Sequence, residues 1–304
     1  MSERRKGYFL VSIAGTLWGT VAFLVTKLLD AQLSLPTIIF YRMFFAFLSL
    51  FFFLMFTDIS KLKIDRILLK YVIAIGLVSQ CLFNISYFSA IKLTSVATAV
   101  TLLYTAPIFI ALMARIFFQE IFTKNKVFAL LLCVAGCFLT ITGGSLQSFQ
   151  FDLKGIFFGL AAGITFGSLT IISKPISDKY HPYTIVFYSI GFGTLFYLPF
   201  SQPILLFQSD INPLTWFYLL SLSIVSTVIA LVIYFSGLAK GIEASKAGII
   251  STIEVVVSVL LSFLFFQEQI WGWKLMGILM VVSSVIVVQL DQLITINKKI
   301  KMDN

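Results

Sequence analysis

The tetrapeptide FFQE occurs twice in the chain, at Phe117–Glu120 and again at Phe265–Glu268. Each copy ends a long apolar run, and equivalent residues of the two copies are 148 positions apart. The two glutamates are either a pair of functional carboxylates or markers of an internal duplication. The remaining sequence can distinguish these alternatives, because a duplication predicts further matches at the same offset.

Three more pairs of segments match at an offset of 147 or 148 residues. GYFLVSIAGTLWGT lies over GIFFGLAAGITFGS, TIIFY lies over TIVFY, and YFSAI lies over YFSGL. These pairs start at residues 7 and 155, 37 and 184, and 87 and 234. Four matches in the same order indicate a duplicated chain, with a first unit at 1–146 and a second at 147–304.

The composition excludes a water-soluble globule. Of the 304 residues, 59% are hydrophobic and 12% are charged, whereas about a quarter are charged in a soluble domain. A membrane-spanning helix needs about 20 mostly apolar residues, and lipid favours helices because their backbone groups bond internally. The sequence predicts an all-α integral membrane protein with ten transmembrane helices. They are expected at 7–28, 36–56, 67–90, 94–116, 126–143, 154–174, 183–201, 213–237, 246–266 and 271–290.

The distribution of basic residues predicts the orientation in the membrane. If the N-terminus is cytoplasmic, 17 Lys and Arg residues lie on the cytoplasmic side and four lie on the outer side. This bias predicts that both termini are cytoplasmic. The protein is expected to lie in the cell membrane, that is, the plasma or inner membrane. The net charge of +9 therefore reflects topology, and no nucleic-acid partner is expected. The first apolar run lacks a cleavage pattern, so it is expected to be a retained helix.

The duplication has inverted topology, because each unit contains an odd number of spans. The second five-helix unit therefore enters the membrane from the side opposite to the first. Inverted repeats of this kind are typical of secondary transporters. Two similar halves can exchange roles around a central site, which gives states open to either side with similar energies.

Several segments resemble one family of such transporters. They are TLWGTVAFLVTK, FYRMFFAF with its arginine, ASKAGIISTIEVVVSVLLSFLFFQE and GILMVVSSVIVV. Together they resemble the EamA family of the drug/metabolite transporter superfamily, whose members are ten-helix secondary carriers, and the resemblance covers nearly the whole chain. Members of this family often carry Glu-Pro in the ninth span. Here Val255 follows Glu254, so the usual cause of a helix break is absent.

The resemblance implies transport of a small metabolite by alternating access, with no enzymatic activity. Export of amino acids or related amines is the first expectation, because such cargo is frequent in the family. The alternative is uptake or exchange of a nucleoside-like metabolite such as S-adenosylmethionine. A channel would need a ring of charges or a filter loop, and an embedded enzyme would need clustered acid–base groups; the sequence offers neither. The expected partners are the substrate and the bilayer, with proton coupling, substrate exchange and oligomeric state left open.

Two ionisable residues lie well inside predicted spans, where a charge is costly without a partner or a role. Glu254 lies about 12 Å from the cytoplasmic end of the ninth span, and Arg42 lies about 9 Å from the outer end of the second. Each occurs in one repeat only, since Ala106 and Ser189 occupy the equivalent positions. They are predicted to contact substrate or a coupling proton, or else to form a structural salt bridge with each other.

Six other residues near mid-depth complete the candidate substrate site. Their aromatic, amide and hydroxyl groups suit a partly apolar small molecule that carries an amine, although each can also serve packing alone. They are Trp18, Gln80, Asn84, Tyr104, Phe166 and Ser251.

No catalytic residue, metal site or cofactor is predicted. Cys81, Cys133 and Cys137 lie inside spans and are interpreted as packing residues, and the single histidine, His181, lies in a predicted loop. The two FFQE glutamates are expected at opposite membrane faces, because their spans run in opposite directions. They are therefore predicted to be helix-end residues of a duplicated unit.

Overall fold

A computed structural model describes residues 3–147, 152–203, 212–267 and 269–303, with side chains up to residue 290. The described residues form helices and contain no strand. Ten helices are long and apolar enough to span a membrane, which confirms the predicted fold class. They are α1 (Glu3–Asp30), α2 (Leu35–Thr57), α3 (Arg66–Leu93), α4 (Val96–Phe118), α5 (Lys124–Thr142), α6 (Leu153–Ser177), α7 (Pro182–Phe200), α8 (Pro213–Leu238), α9 (Ala244–Phe266) and α10 (Trp273–Asp303).

Successive helices run in opposite directions, so their connections alternate between two faces of the bundle. The N-terminal face is the one at which α1 begins; it carries the connections 58–65, 119–123, 178–181 and 239–243. The other is called the opposite face. At that face α1, α3, α5, α7 and α9 end and the even-numbered helices begin.

Helices of one repeat pack against helices of the other, so the two repeats do not form separate bundles. Helix α1 packs against α8 and α9, and its counterpart α6 packs against α3 and α4. Glycines allow these backbones to approach closely. A Cβ atom on Gly19 would lie 2.8 Å from the Glu254 carbonyl oxygen, and one on Gly163 would lie 3.2 Å from the Leu102 carbonyl oxygen. Glycines of α1 and α6 thus form close contacts that join the two halves.

Local irregularities also recur at the repeat offset. Helix α3 contains a π-helical segment at Ile75–Leu82 and α8 contains one at Ile224–Ile229. Helix α4 is interrupted at Tyr104 and Thr105, and α9 is interrupted at Thr252. The break in α9 therefore forms without the Glu-Pro sequence, whereas the break in α4 is followed by Pro107. Both breaks lie at mid-depth, where they reshape the bundle centre.

The FFQE motif ends α4 and α9 in the same way. Gln119 and Gln267 adopt the left-handed conformation, with φ of 55° and 56°, and their N–H groups donate to the Ala114 and Ser262 carbonyl oxygens. A left-handed residue is a common helix terminator. The helix-end interpretation of the motif therefore has a physical basis, although Glu268 itself lies outside the described residues.

Each motif also receives a lysine from the other half of the chain. The Lys174 ammonium lies 4.7 Å from the centre of the Phe118 ring, and the Lys27 ammonium lies 4.9 Å from the centre of the Phe266 ring. Such cation–π contacts contribute about 0.5–2 kcal/mol depending on exposure. The inverted symmetry thus extends to side-chain contacts at both faces.

We expect Gly19→Ala to destabilise the protein, although alanine in a helix is normally better than glycine by about 1 kcal/mol. The added methyl group would overlap α9, and overpacking typically costs about 1–3 kcal/mol. Thermal unfolding in detergent measures the effect. Thr16→Ala, at an exposed position of the same helix, is the matched control and should leave the midpoint nearly unchanged. A midpoint for Gly19→Ala at or above that of the parent protein would contradict this packing.

Candidate functional site

A cavity of about 340 Å³ lies between the two halves, which is within the usual range for small-molecule sites. Seven helices line it, four from the first repeat and three from the second. The lining residues are Trp18, Gly19, Val21, Ala22, Val25, Leu35, Ile39, Arg42, Ser79, Gln80, Phe83, Asn84, Tyr87, Val100, Leu103, Tyr104, Phe166, Leu169, Ser226, Thr227, Leu231, Glu254 and Ser258.

The cavity extends from mid-depth toward the opposite face. Leu35, the first residue of α2 at that face, belongs to its lining. Toward the N-terminal face, a small apolar cluster of Ile110, Ala114, Ile171 and Ala244 packs α4, α6 and α9 together. In the described structure, the cavity therefore lies between this apolar cluster and the opposite face.

Seven of the eight predicted site residues line this one cavity. They are Trp18, Arg42, Gln80, Asn84, Tyr104, Phe166 and Glu254. Ser251 does not contribute to the lining; it is buried, and its hydroxyl donates to the Gly248 carbonyl oxygen at 2.9 Å. The Ser251 hydroxyl is thus satisfied within α9. Contact of the other seven with a substrate stays a prediction.

Glu254 owes its position to the interruption of α9. It lies in the first turn of the segment that restarts at Ile253, where the partial positive charge of a helix N-terminus favours a carboxylate. The Tyr104 hydroxyl, at the break in α4, lies beside the Glu254 carboxyl. The two helix breaks thus place an acid and a phenol together at the centre of the membrane.

Aromatic rings form a continuous wall beside Glu254. The ring centre of Trp18 lies 5.0 Å from that of Tyr234 and 6.4 Å from that of Phe166. Phe83 continues the wall, with its centre 5.4 Å from that of Phe166 and 5.9 Å from that of Tyr87. Ring faces carry partial negative charge and attract organic cations. The wall therefore suits an apolar or cationic group of a ligand.

Two polar groups on the cavity wall have hydrogen-bond partners. Asn84 donates to the Gln80 carbonyl oxygen at 2.6 Å, and the Ser79 and Ser168 hydroxyls are 2.8 Å apart. Arg42 differs, because its Nε atom is buried and has no hydrogen-bond partner. No ion pair joins Arg42 to Glu254 within the described residues. The structural salt bridge considered from the sequence is therefore absent in this conformation.

Glu120 of the first FFQE motif has an unexpected role at the N-terminal face. Its carboxylate accepts hydrogen bonds from the Ala244 and Ser245 N–H groups at 2.7 and 3.2 Å, and also from the Ser245 hydroxyl. Lys174 donates to it at 2.7 Å, and the Lys126 ammonium lies 3.7 Å away. Glu120 thus caps the start of α9 from the end of α4.

The Glu120 contacts are almost dry, since 8% of its side chain is exposed. Burial opposes ionisation of this carboxyl, but the hydrogen bonds from Lys174, Ser245 and Ala244 outweigh it and lower the pKa of Glu120 below its ordinary value. Lys126 also pairs with Glu243, which in turn pairs with Lys246 at 3.2 Å. These five charged residues, here called the N-terminal-face cluster (Glu120, Lys126, Lys174, Glu243 and Lys246), join α4, α5, α6 and α9.

Several lining residues and this cluster were not predicted from the sequence. Ser79, Ser226 and Ser258 carried no signal beyond being small and polar within a span. Tyr87 is matched by Tyr234 in the other repeat, so the repeat comparison does not single it out. Among the described residues, no group of three or more His, Cys, Asp or Glu could hold a metal.

Two inverted five-helix repeats around a mostly apolar cavity that carries a few polar and charged groups define a transporter architecture. The model of the EamA-like transporter family matches this chain twice, over residues 5–142 and 153–290. The chain therefore belongs to the EamA-like transporter family and is a multi-pass membrane protein.

Known proteins with similar sequences carry the same general description. An uncharacterized transporter of Archaeoglobus fulgidus is 28% identical over 284 residues, which cover 93% of this chain and 96% of the relative. The uncharacterized inner membrane transporter YicL of Salmonella typhimurium is 27% identical, with coverage of 96% and 97%. The pseudopaline exporter CntI of Pseudomonas aeruginosa is 26% identical over 49% of this chain and 51% of its own length.

A solved structure supports the fold independently. It superposes with a TM-score of 0.76 and covers 93% of this chain and 96% of its own, at 19% sequence identity. At this level of identity the similarity concerns the fold alone.

Thiol labelling can test the cavity. We expect a cysteine introduced by Ser258→Cys to react with a small charged methanethiosulfonate, because Ser258 lines the cavity. The native cysteines Cys81, Cys133 and Cys137 are buried and should give a low background. Ser284→Cys, at a fully buried position of α10, is the control and should remain unlabelled. Equal labelling of the two variants would contradict the cavity.

Proposed function

We propose that the protein is a secondary active transporter that exports an amino acid or a related amine by alternating access. The observation that carries this proposal is the carboxyl group of Glu254 on a mid-membrane cavity of a family transporter. An ionisable group in hydrocarbon is expensive, and such groups mark substrate and ion pathways in membrane proteins. Its presence in one repeat only supports a task that the duplicated framework does not share.

The surroundings of Glu254 favour a cargo with an amino group. A carboxylate and the faces of Trp18 and Tyr87 can together attract an ammonium ion, and Gln80 and Asn84 add amide groups on the same cavity. The apolar lining residues accommodate a hydrocarbon side chain. This combination supports an amine-bearing metabolite better than an anion or a sugar.

An uptake or exchange carrier for a nucleoside-like metabolite such as S-adenosylmethionine is the second candidate. The wall formed by Trp18, Phe83, Tyr87 and Phe166 could stack a nucleobase, and the sulfonium is also a cation. Export is preferred because the name of the Pseudomonas aeruginosa relative describes an exporter. Competition by adenine nucleosides, but not by amino acids, would favour the second candidate.

The orientation that fits this function has the N-terminal face in the cytoplasm, as the bias of basic residues predicts. The cavity then lies toward the outside, and the N-terminal-face cluster closes the cytoplasmic side. This is the conformation in which an exporter releases its cargo. The opposite conformation requires α4 and α9 to separate at the cytoplasmic side, which breaks the contacts of Glu120 with Ala244 and Ser245.

Substrate counterflow tests the carrier function. Purified protein in proteoliposomes preloaded with an unlabelled amino acid should accumulate the same labelled amino acid, and the rate should saturate. Glu254→Gln should lower that rate at least tenfold, because a hydrogen bond to a charged group contributes about 1.5–3 kcal/mol. Glu3→Gln removes an exposed carboxylate at the N-terminal face and should transport normally.

Two outcomes would count against this assignment. Unsaturable flux that follows the electrical gradient would indicate a channel. Normal counterflow by both Glu254→Gln and Arg42→Gln would show that these residues do not form the substrate or coupling site.

Loss of the Glu120 cap should shift the carrier toward the conformation open at the N-terminal face. A lost helix cap costs about 1 kcal/mol, which is roughly fivefold in an equilibrium. In a Glu120→Gln background, a thiol at Ala114→Cys in the apolar cluster beneath the cavity should label faster, while a thiol at Ser258→Cys should label more slowly. Faster labelling at both positions would indicate a general destabilisation of the fold. Unchanged labelling rates would show that Glu120 does not stabilise the conformation closed at the N-terminal face. Glu3→Gln again provides the matched control.

A further inference from the structure

Arg42 is a cation on the cavity without a counter-ion in the described structure. Its Nε atom is buried and lacks a hydrogen-bond partner. None of the ion pairs found among the described residues includes Arg42. A guanidinium keeps its charge even in poor solvents. Such a group in a membrane requires either a partner or a ligand that supplies one.

The neighbours of Arg42 on its own helix do not meet this need. Leu35, Ile39 and Arg42 line the cavity at spacings of four and three residues, so they form one stripe of α2. The stripe is apolar except for the guanidinium. A guanidinium binds a carboxylate through two parallel hydrogen bonds, and the orphaned Nε is one of the donors that such a pair can use.

The second charged group on the cavity wall, Glu254, lies deeper than Arg42. Arg42 is seven residues from the start of α2, and Glu254 is twelve residues from the end of α9. At 1.5 Å per residue, these positions differ in depth by roughly 8 Å. The cavity thus has a basic group nearer the opposite face and an acidic group near the centre, with aromatic rings beside the acid.

An occupant with one charge would satisfy only half of this site. A simple amine would be attracted to Glu254 but would leave Arg42 unpaired, and a simple carboxylate would approach Glu254 with like charge. A zwitterion pairs with both groups and adds no net charge to the membrane interior. Since leaving a buried charge unpaired is costly, the two groups together select for both charges.

We propose that Arg42 determines specificity by binding the carboxylate of a zwitterionic substrate whose ammonium group lies at Glu254. The inference rests on the proposed transporter function and narrows its cargo to amino acids rather than amines. It also fixes the orientation of the cargo, with the carboxylate nearer the opposite face.

Matched ligands provide the test. Binding to the purified protein is measured calorimetrically for leucine, phenylalanine and lysine, each against the amine formed by removing its carboxyl group and the acid formed by removing its α-amino group. The parent protein should bind at least one amino acid about tenfold more tightly than either derivative. Arg42→Gln should weaken the binding of that amino acid about tenfold and leave the binding of the amine nearly unchanged.

Two further variants separate a binding role from a structural one. Arg42→Lys keeps the charge but loses the two-pronged geometry, and it should recover part of the preference for the amino acid. Lys154→Gln removes an exposed cation near the same face and should bind all ligands normally. The proposal is wrong if no amino acid of the panel binds, or if the amine binds as well as its parent amino acid. It is also wrong if Arg42→Gln weakens the binding of the amino acid and of the amine equally.

Failure of the transporter function would look different. In that case the amino acid would still bind in an Arg42-dependent manner, but the proteoliposomes would show no counterflow. Counterflow of an amine with no contribution from Arg42 would leave the transporter function intact and overturn the role of Arg42.

Discussion

The close approach of α1 to α9, and of α6 to α4, is the contact on which the rest of the structure depends. Gly19 and Gly163 bring backbones together across the boundary between repeats, in a solvent where lipid tails provide no hydrophobic drive for helix association. Each of these helices thereby carries the wall of a cavity formed by both halves. Without this packing between the repeats, each repeat would expose its polar mid-depth residues to lipid.

Much of this arrangement could be predicted from the sequence. The ten spans follow from apolar runs, and the repeat offset gives the inverted architecture because five spans reverse direction. Seven of the eight predicted site residues line one cavity, since polar and charged groups inside spans have few other places to lie. Ser251 shows the limit of this reasoning, because a hydroxyl can also be satisfied by its own helix, here at Gly248.

Two features could not be predicted, for different reasons. The break in α9 forms at Thr252 without the proline that usually signals one, so it reflects tertiary packing rather than local sequence. Glu120 and Ala244 are 124 residues apart, and no pattern in the sequence links a carboxylate at one helix end to the start of another helix. The motif that revealed the duplication thus also supplies, in its first copy, a contact that joins the end of α4 to the start of α9.

The glycine contacts that join the repeats recur in both halves, whereas each of the two charges on the cavity has no counterpart in the other half. Ser189 and Ala106 occupy the positions equivalent to Arg42 and Glu254. After a gene duplication, substitutions at such unmatched positions alter the chemistry of the interior while every helix contact is retained. Such a framework lets a lineage change what it carries by a few substitutions, without passing through an unfolded ancestor.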